Sequence, residues 1–124
     1  MYSDVIGLKL ARANKVAKKR LKLAYQYIND ANQHEFYEEI QNAIWGYISD
    51  KLSIPTSQLS KENITIQLLK IGVKEELCND IIDILNKCEI ALYTPQLGNS
   101  QMKDIYEGVV KSINEIESIK IKRK

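Results

Sequence analysis

Apolar positions recur at spacings of three and four in five successive stretches of this chain, the period of an α-helix. The stretch from Asn32 to Leu59 organises the rest. Read at about 100° per residue, Phe36, Ile40, Ala43 and Tyr47 form one stripe. Tyr37, Ile44, Ile48 and Leu52 form a second beside it, bordered by Trp45. Together they cover roughly half the circumference, wider than the stripe of a helix with a single neighbour. A helix over about 33–52 is therefore expected at the centre of the fold. Asn32 with Glu35 makes a capping-box-like pair, and Glu35, Glu38 and Glu39 suit the positive end of the helix dipole. Pro55 supplies the stop, because the residue before a proline is pushed out of the helical region.

The remaining stretches predict four more helices. The first runs from about Ile6 to Asp30, with Leu10, Ala13, Ala17, Leu21, Ala24 and Ile28 as its buried seam. Ser60 caps a short helix from Lys61 to Ile71, closed by Gly72. Ile64, Leu68 and Ile71 share one of its faces, Ile66 and Leu69 the other, so it is expected to be wedged between longer helices. A fourth helix, about Lys74 to Tyr93, buries Leu77, Ile81, Ile84, Cys88 and Leu92. After a loop from Gln96 to Ser100, capped at Asn99 or Ser100, the last helix turns Met102, Ile105, Val109, Ile113 and Ile116 inward. Lys120, Lys122, Arg123 and Lys124 suit a helix C-terminus. The fold class is all-α: a compact bundle of four long helices and one short one, in a single domain over 1–124.

Composition agrees: hydrophobic residues make up 44%, charged residues 27%, and only five glycines and two prolines interrupt the helix formers. No apolar run approaches the ~18 residues needed to cross a bilayer, and Lys9, Arg12 and Lys15 interrupt any signal-peptide core. Charge changes the picture more. Residues 1–24 hold seven basic residues and one acid, a balance of +6; the other 100 hold 11 basic and 15 acidic residues, a balance of −4. Arg12, Lys15, Lys19 and Lys22 lie opposite the seam, and Lys18 and Arg20 add to a basic amphipathic helix. Three readings compete for that face: a solvated surface, a membrane-surface or juxtamembrane role, and nucleic-acid binding. The last has the least support, since no helix-turn-helix, RNA-binding or zinc-finger signature accompanies the charge.

Candidate chemistry is sparse. His34 is the only histidine, and with Glu38 four residues on it makes a weak metal pair. Cys78 and Cys88, ten residues apart on one predicted helix, are about 15 Å apart and beyond disulfide reach. They read as reduced thiols, and Cys88 as a core residue. No glycine-rich phosphate loop is present. These features predict neither an enzyme nor a metal or cofactor. Trp45, Tyr47 and Tyr93 are the candidate anchors for a protein partner, with packing in the core as the favoured alternative for all three.

Several blocks are similar to the C-terminal domain of the BatD family. They are Ala13-Asn14-Lys15-Val16-Ala17-Lys18-Lys19-Arg20-Leu21, Phe36-Tyr37-Glu38-Glu39-Ile40, Trp45-Gly46-Tyr47-Ile48-Ser49-Asp50-Lys51-Leu52 with Ile54-Pro55, Leu59 to Ile64, Gly72-Val73, and Cys88 to Pro95. The resemblance runs in register from about Ala11 to Glu117; it departs from the pattern at Leu92, where a basic residue is expected. BatD proteins are aerotolerance proteins of Bacteroides-type bacteria, with a β-rich periplasmic part, one membrane span and a helical cytoplasmic domain. The resemblance implies a non-enzymatic interaction domain on the cytoplasmic side of the inner membrane, part of a longer membrane protein. It also implies partners among the other Bat proteins (von Willebrand A-type and tetratricopeptide-repeat members) and a MoxR-type ATPase. Residues 1–24 then become a basic juxtamembrane segment, as the positive-inside rule requires. Two alternatives compete with it: a nucleic-acid-binding domain using the basic first helix, and a purely structural or dimerisation domain.

Overall fold

Five α-helices and one 3₁₀ turn make up the residues described by the computed structural model, which are 2–30, 32–94 and 102–118; within the first helix, side chains are described at 15 and 17–30. The helices are α1 (Tyr2–Asn29), α2 (Gln33–Leu52), α3 (Lys61–Lys70), α4 (Glu75–Tyr93) and α5 (Met102–Glu117), with the 3₁₀ turn at Thr56–Gln58. There is no strand among the described residues. Leu10, Ala13 and Arg12 fall outside the described side chains, and the expected caps Asn99 and Ser100 and the basic residues 120–124 outside the described residues.

Helix α2 packs against α1, α4 and α5, and seven of its side chains are buried: Phe36, Tyr37, Ile40, Ala43, Ile44, Tyr47 and Ile48. These are the two predicted stripes without Leu52, which is half-buried like Trp45. They meet Ala17, Leu21 and Ala24 of α1, the Leu77–Ala91 face of α4, and Met102, Ile105, Val109, Ile113 and Ile116 of α5 in one core cluster. Alanines at two of the three buried seam positions of α1 let α2 approach closely, and these two helices make the most extensive pairing.

Capping explains the boundaries. Ser60 Oγ accepts from the Asn63 N–H (3.2 Å) while Asn63 Oδ1 accepts from the Ser60 N–H (3.0 Å), a reciprocal box at the start of α3. At its end Gly72 takes φ 100°, its N–H donates to Leu69 O, and Val73 N–H donates to Leu68 O. That is a Schellman closure, with buried Val73 and Leu68 completing its apolar contact.

Three expectations are corrected. Asn32 makes no side-chain cap at α2; its backbone, at φ −95° and ψ 81°, instead bridges the turn, with the N–H donating to Tyr27 O and the carbonyl accepting from Phe36. The stop of α2 is not the proline itself but Ser53, in left-handed conformation at φ 58°, with Ile54 N–H donating back to Ser49 O at 3.1 Å. Helix α3 is not wedged between longer helices. It lies chiefly against α4, burying Ile64 and Leu68 while Ile66 and Leu69 remain exposed, because no element among the described residues covers its second face. Lys61 fixes its start by reaching Glu89 (2.6 Å) and Asn86 (2.8 Å) on α4.

Candidate functional site

The basic face of α1 survives folding as a surface. Lys15, Lys18, Lys19 and Lys22 are exposed and fall within roughly a 100° arc of the helix. None of the four has a carboxylate within ion-pair distance among the described residues. Lys15–Lys19 and Lys18–Lys22 are like-charge pairs at i,i+4, each a cost of about 0.2–0.5 kcal/mol to the helix. A face that keeps this repulsion without local neutralisation is poised to take up anions. Arg20 stands apart from it: on the α2 side of the helix, its guanidinium meets Glu39 at 3.0 Å and ties α1 to α2.

Beside this face a groove of about 330 Å³ runs between α1 and α5. Ala17, Leu21, Val110 and Ile113 line it with apolar surface, Lys18 and Lys22 stand at its α1 side, and Asn114 is the polar group from α5. Tyr25 and Tyr106 also line it, their rings 5.2 Å apart and tilted by 52°. A second hollow of about 390 Å³, between α4 and α5, carries Asp80, Asp83, Asp104 and Glu115 with Lys87 and Lys111. Lys87 there is paired with Asp83 at 3.1 Å.

The three aromatic candidates separate. Tyr47 is 2% exposed. Its hydroxyl donates to the Glu117 carboxylate, which also takes the Lys51 ammonium at 2.6 Å, and the Lys51 nitrogen lies 5.7 Å from the Tyr47 ring centroid. Tyr47 thus fastens the end of α5 to α2 and is removed from the set of partner anchors. Trp45 is half-buried against the core. Tyr93, at 86% exposure, stands clear at the end of α4, with Ile90, 51% exposed, one turn before it. That pair is an exposed apolar surface.

No family model, curated protein or solved structure matches this chain.

His34 is exposed on the first turn of α2, and no group of three or more His, Cys, Asp or Glu side chains among the described residues could hold a metal ion. Both thiols are in the core, Cys78 at 1% and Cys88 at 0% exposure. Burial, with Glu89 adding, pushes Cys88 from 9.0 up to about 12. Burial raises Cys78 too, helped by Glu75 and partly offset by a backbone hydrogen bond. Since the thiolate is the reactive form, neither cysteine is set up for peroxide or disulfide chemistry. A rise of about three on the pH scale leaves Cys88 with about a thousandth of the unfolded thiolate fraction near neutral pH. Titration with a thiol-reactive disulfide should therefore be at least a hundredfold slower for Cys88 in the native chain than in guanidinium. Equal rates would place it at the surface.

Sequence reasoning missed the groove altogether. Its α1 wall was visible in the row of lysines, and Tyr106 and Val110 sit one position after the buried Ile105 and Val109. Nothing local pairs α1 with α5, however, so the site existed in the sequence only as two unconnected half-faces.

Proposed function

We propose that the chain is a non-enzymatic, cytoplasmic interaction domain of a membrane-anchored protein of the BatD type. In this reading a bundle of four long helices carries a fifth, short one on its flank. The basic face of α1 rests on anionic headgroups, while other surfaces meet cytoplasmic parts of von Willebrand A-type and tetratricopeptide-repeat partners or a MoxR-type ATPase. The observation that carries the reading is the row of Lys15, Lys18, Lys19 and Lys22, exposed and without an ion-pair partner among the described residues, on a helix whose opposite side is core. Each lysine near an anionic leaflet contributes about 1 kcal/mol, so four together favour the surface about a thousandfold at moderate salt. No helix among the described residues is long and apolar enough to cross a membrane, so in this reading attachment beyond the lysine face comes from elsewhere in the parent protein. The exposed Ile90–Tyr93 pair on α4 is the surface assigned to a protein partner.

Vesicle flotation tests the first half. Phosphatidylglycerol vesicles are expected to retain the chain and phosphatidylcholine vesicles to release it, and retention should vanish near 1 M salt, where screening acts within about 3 Å. Reversing Lys15, Lys18, Lys19 and Lys22 to glutamate should abolish retention without altering the helical circular dichroism. Equal retention by both lipids, or by the reversed variant, would remove the membrane reading. For the second half, pull-down with the cytoplasmic parts of the Bat partners should succeed with the native chain and weaken with Tyr93→Ala. Failure with every partner would remove it.

A further inference from the structure

We propose that the groove between α1 and α5 is a seat for one acyl chain of an anionic lipid, with Lys18 and Lys22 holding its phosphate. The inference rests on the membrane-surface reading and names the molecule that the surface would select. Lys18 and Lys22 are one helical turn apart on the groove's α1 side and have no carboxylate partner among the described residues. Two free ammonium groups at that spacing form a site for a single phosphate. Next to them the lining is apolar: Leu21, Val110 and Ile113, with Ala17 leaving room where a larger side chain would fill it. On α1 the lining runs from Ala17 to Tyr25, about 12 Å at 1.5 Å per residue, the length of a medium-chain acyl group. Tyr25, 43% exposed and touching Tyr106, bounds the groove at the end away from Lys18.

Size separates this occupant from a protein one. About 330 Å³ lies at the lower end of small-molecule sites, which are mostly apolar with a few placed polar groups. A docked helix in a stable complex needs far more buried surface than a groove of this size provides. The charge sets the sign of the headgroup: a cationic side and an apolar floor complement an anionic amphiphile.

The test uses soluble short-chain lipids below their micelle concentration, followed by amide chemical shifts on the full chain. Dihexanoyl phosphatidylglycerol should shift residues 17–25 and 106–114 saturably. Dihexanoyl phosphatidylcholine should bind at least tenfold more weakly, and inorganic phosphate should move only the neighbourhood of Lys18 and Lys22. Val110→Trp, which fills the groove, should lose the lipid response but keep its retention on phosphatidylglycerol vesicles. Lys18→Gln with Lys22→Gln, both at exposed positions, should weaken the lipid response at least tenfold even if Val110→Trp does not fold. Equal binding of both lipids, shifts confined to other residues, or an unaffected lysine variant would overturn the assignment. So would saturation of the same residues by an acidic amphipathic peptide where the lipid has no effect. If vesicle retention fails while the soluble lipid still binds the groove, the surface reading falls alone; if retention holds and the groove is silent, only this inference falls.

Discussion

Glu117→Gln is expected to lower the stability of the chain by about 2–3 kcal/mol, a fall in Tm of about 10 °C for a domain of this size. The Lys51 side chain is 1% exposed, and its ammonium is neutralised by a carboxylate 2.6 Å away that also accepts from the Tyr47 hydroxyl. Removing the negative charge leaves a buried cation. Breaking a fully buried pair costs about 3–5 kcal/mol, and this one falls lower because the Glu117 side chain is 21% exposed. Lys51→Met in the Glu117→Gln background takes away the stranded charge, while the amide oxygen still accepts from Tyr47. The double variant should therefore be more stable than Glu117→Gln alone. Denaturant titrations of the native chain, Glu117→Gln, Lys51→Met and the double variant close the cycle. Native-like stability of Glu117→Gln would show that the cluster does not hold α5 to α2.

Alkali should unfold the chain cooperatively between about pH 10 and 12. Burial pushes Tyr37 from 10.0 up to about 12, with the Cys88 charge adding to it. Burial first, then the hydrogen bond and charge of Glu117, raise Tyr47 further. Cys88 rises from 9.0 to about 12 for the reasons given above. In each case the folded chain holds the proton more tightly than the unfolded one. The contribution is thus complete below the unfolded value and is lost as pH climbs toward the folded one. The slope is about 1.4 kcal/mol per pH unit and per group. It starts above pH 9 for Cys88 and above pH 10 for the two tyrosines. By about pH 11 the three together remove about 5 kcal/mol, comparable with the total stability of many domains. Helical circular dichroism and tyrosinate absorbance of the buried pair should change together. A Tyr37→Phe variant should lose stability less steeply above pH 10; an unchanged slope would show that Tyr37 does not titrate through unfolding.

The helix pattern and its inward faces were legible because both depend on residues within a turn or two of each other. The five residues of α5 predicted to face inward from their spacing are buried, joined by Ser112, and Cys88 is in the core where the stripe of α4 put it. Charge was legible in the same way: lysines at i, i+3 and i+4 share a face whatever the rest of the chain does. The start of α3 was found because Ser60 and Asn63 satisfy each other locally. Asn32 and Glu35 offered a similar pattern, but the turn joining α1 to α2 sets the backbone of Asn32 at an angle that spends its own carbonyl and N–H instead.

By itself the sequence determined an all-helical chain with an aromatic, double-striped helix at 33–52 and its positive charge gathered on the first helix, because periodicity and charge are properties of neighbours along one strand of backbone. Only the tertiary structure decided which apolar faces are covered. It left Ile66 and Leu69 in water, drew Tyr47 inward to a carboxylate 70 residues away, and set Leu21 beside Val110 to open a groove under two lysines. Each of these depends on which helix arrives against which, and that is set by the packing of distant surfaces, which no local spacing encodes.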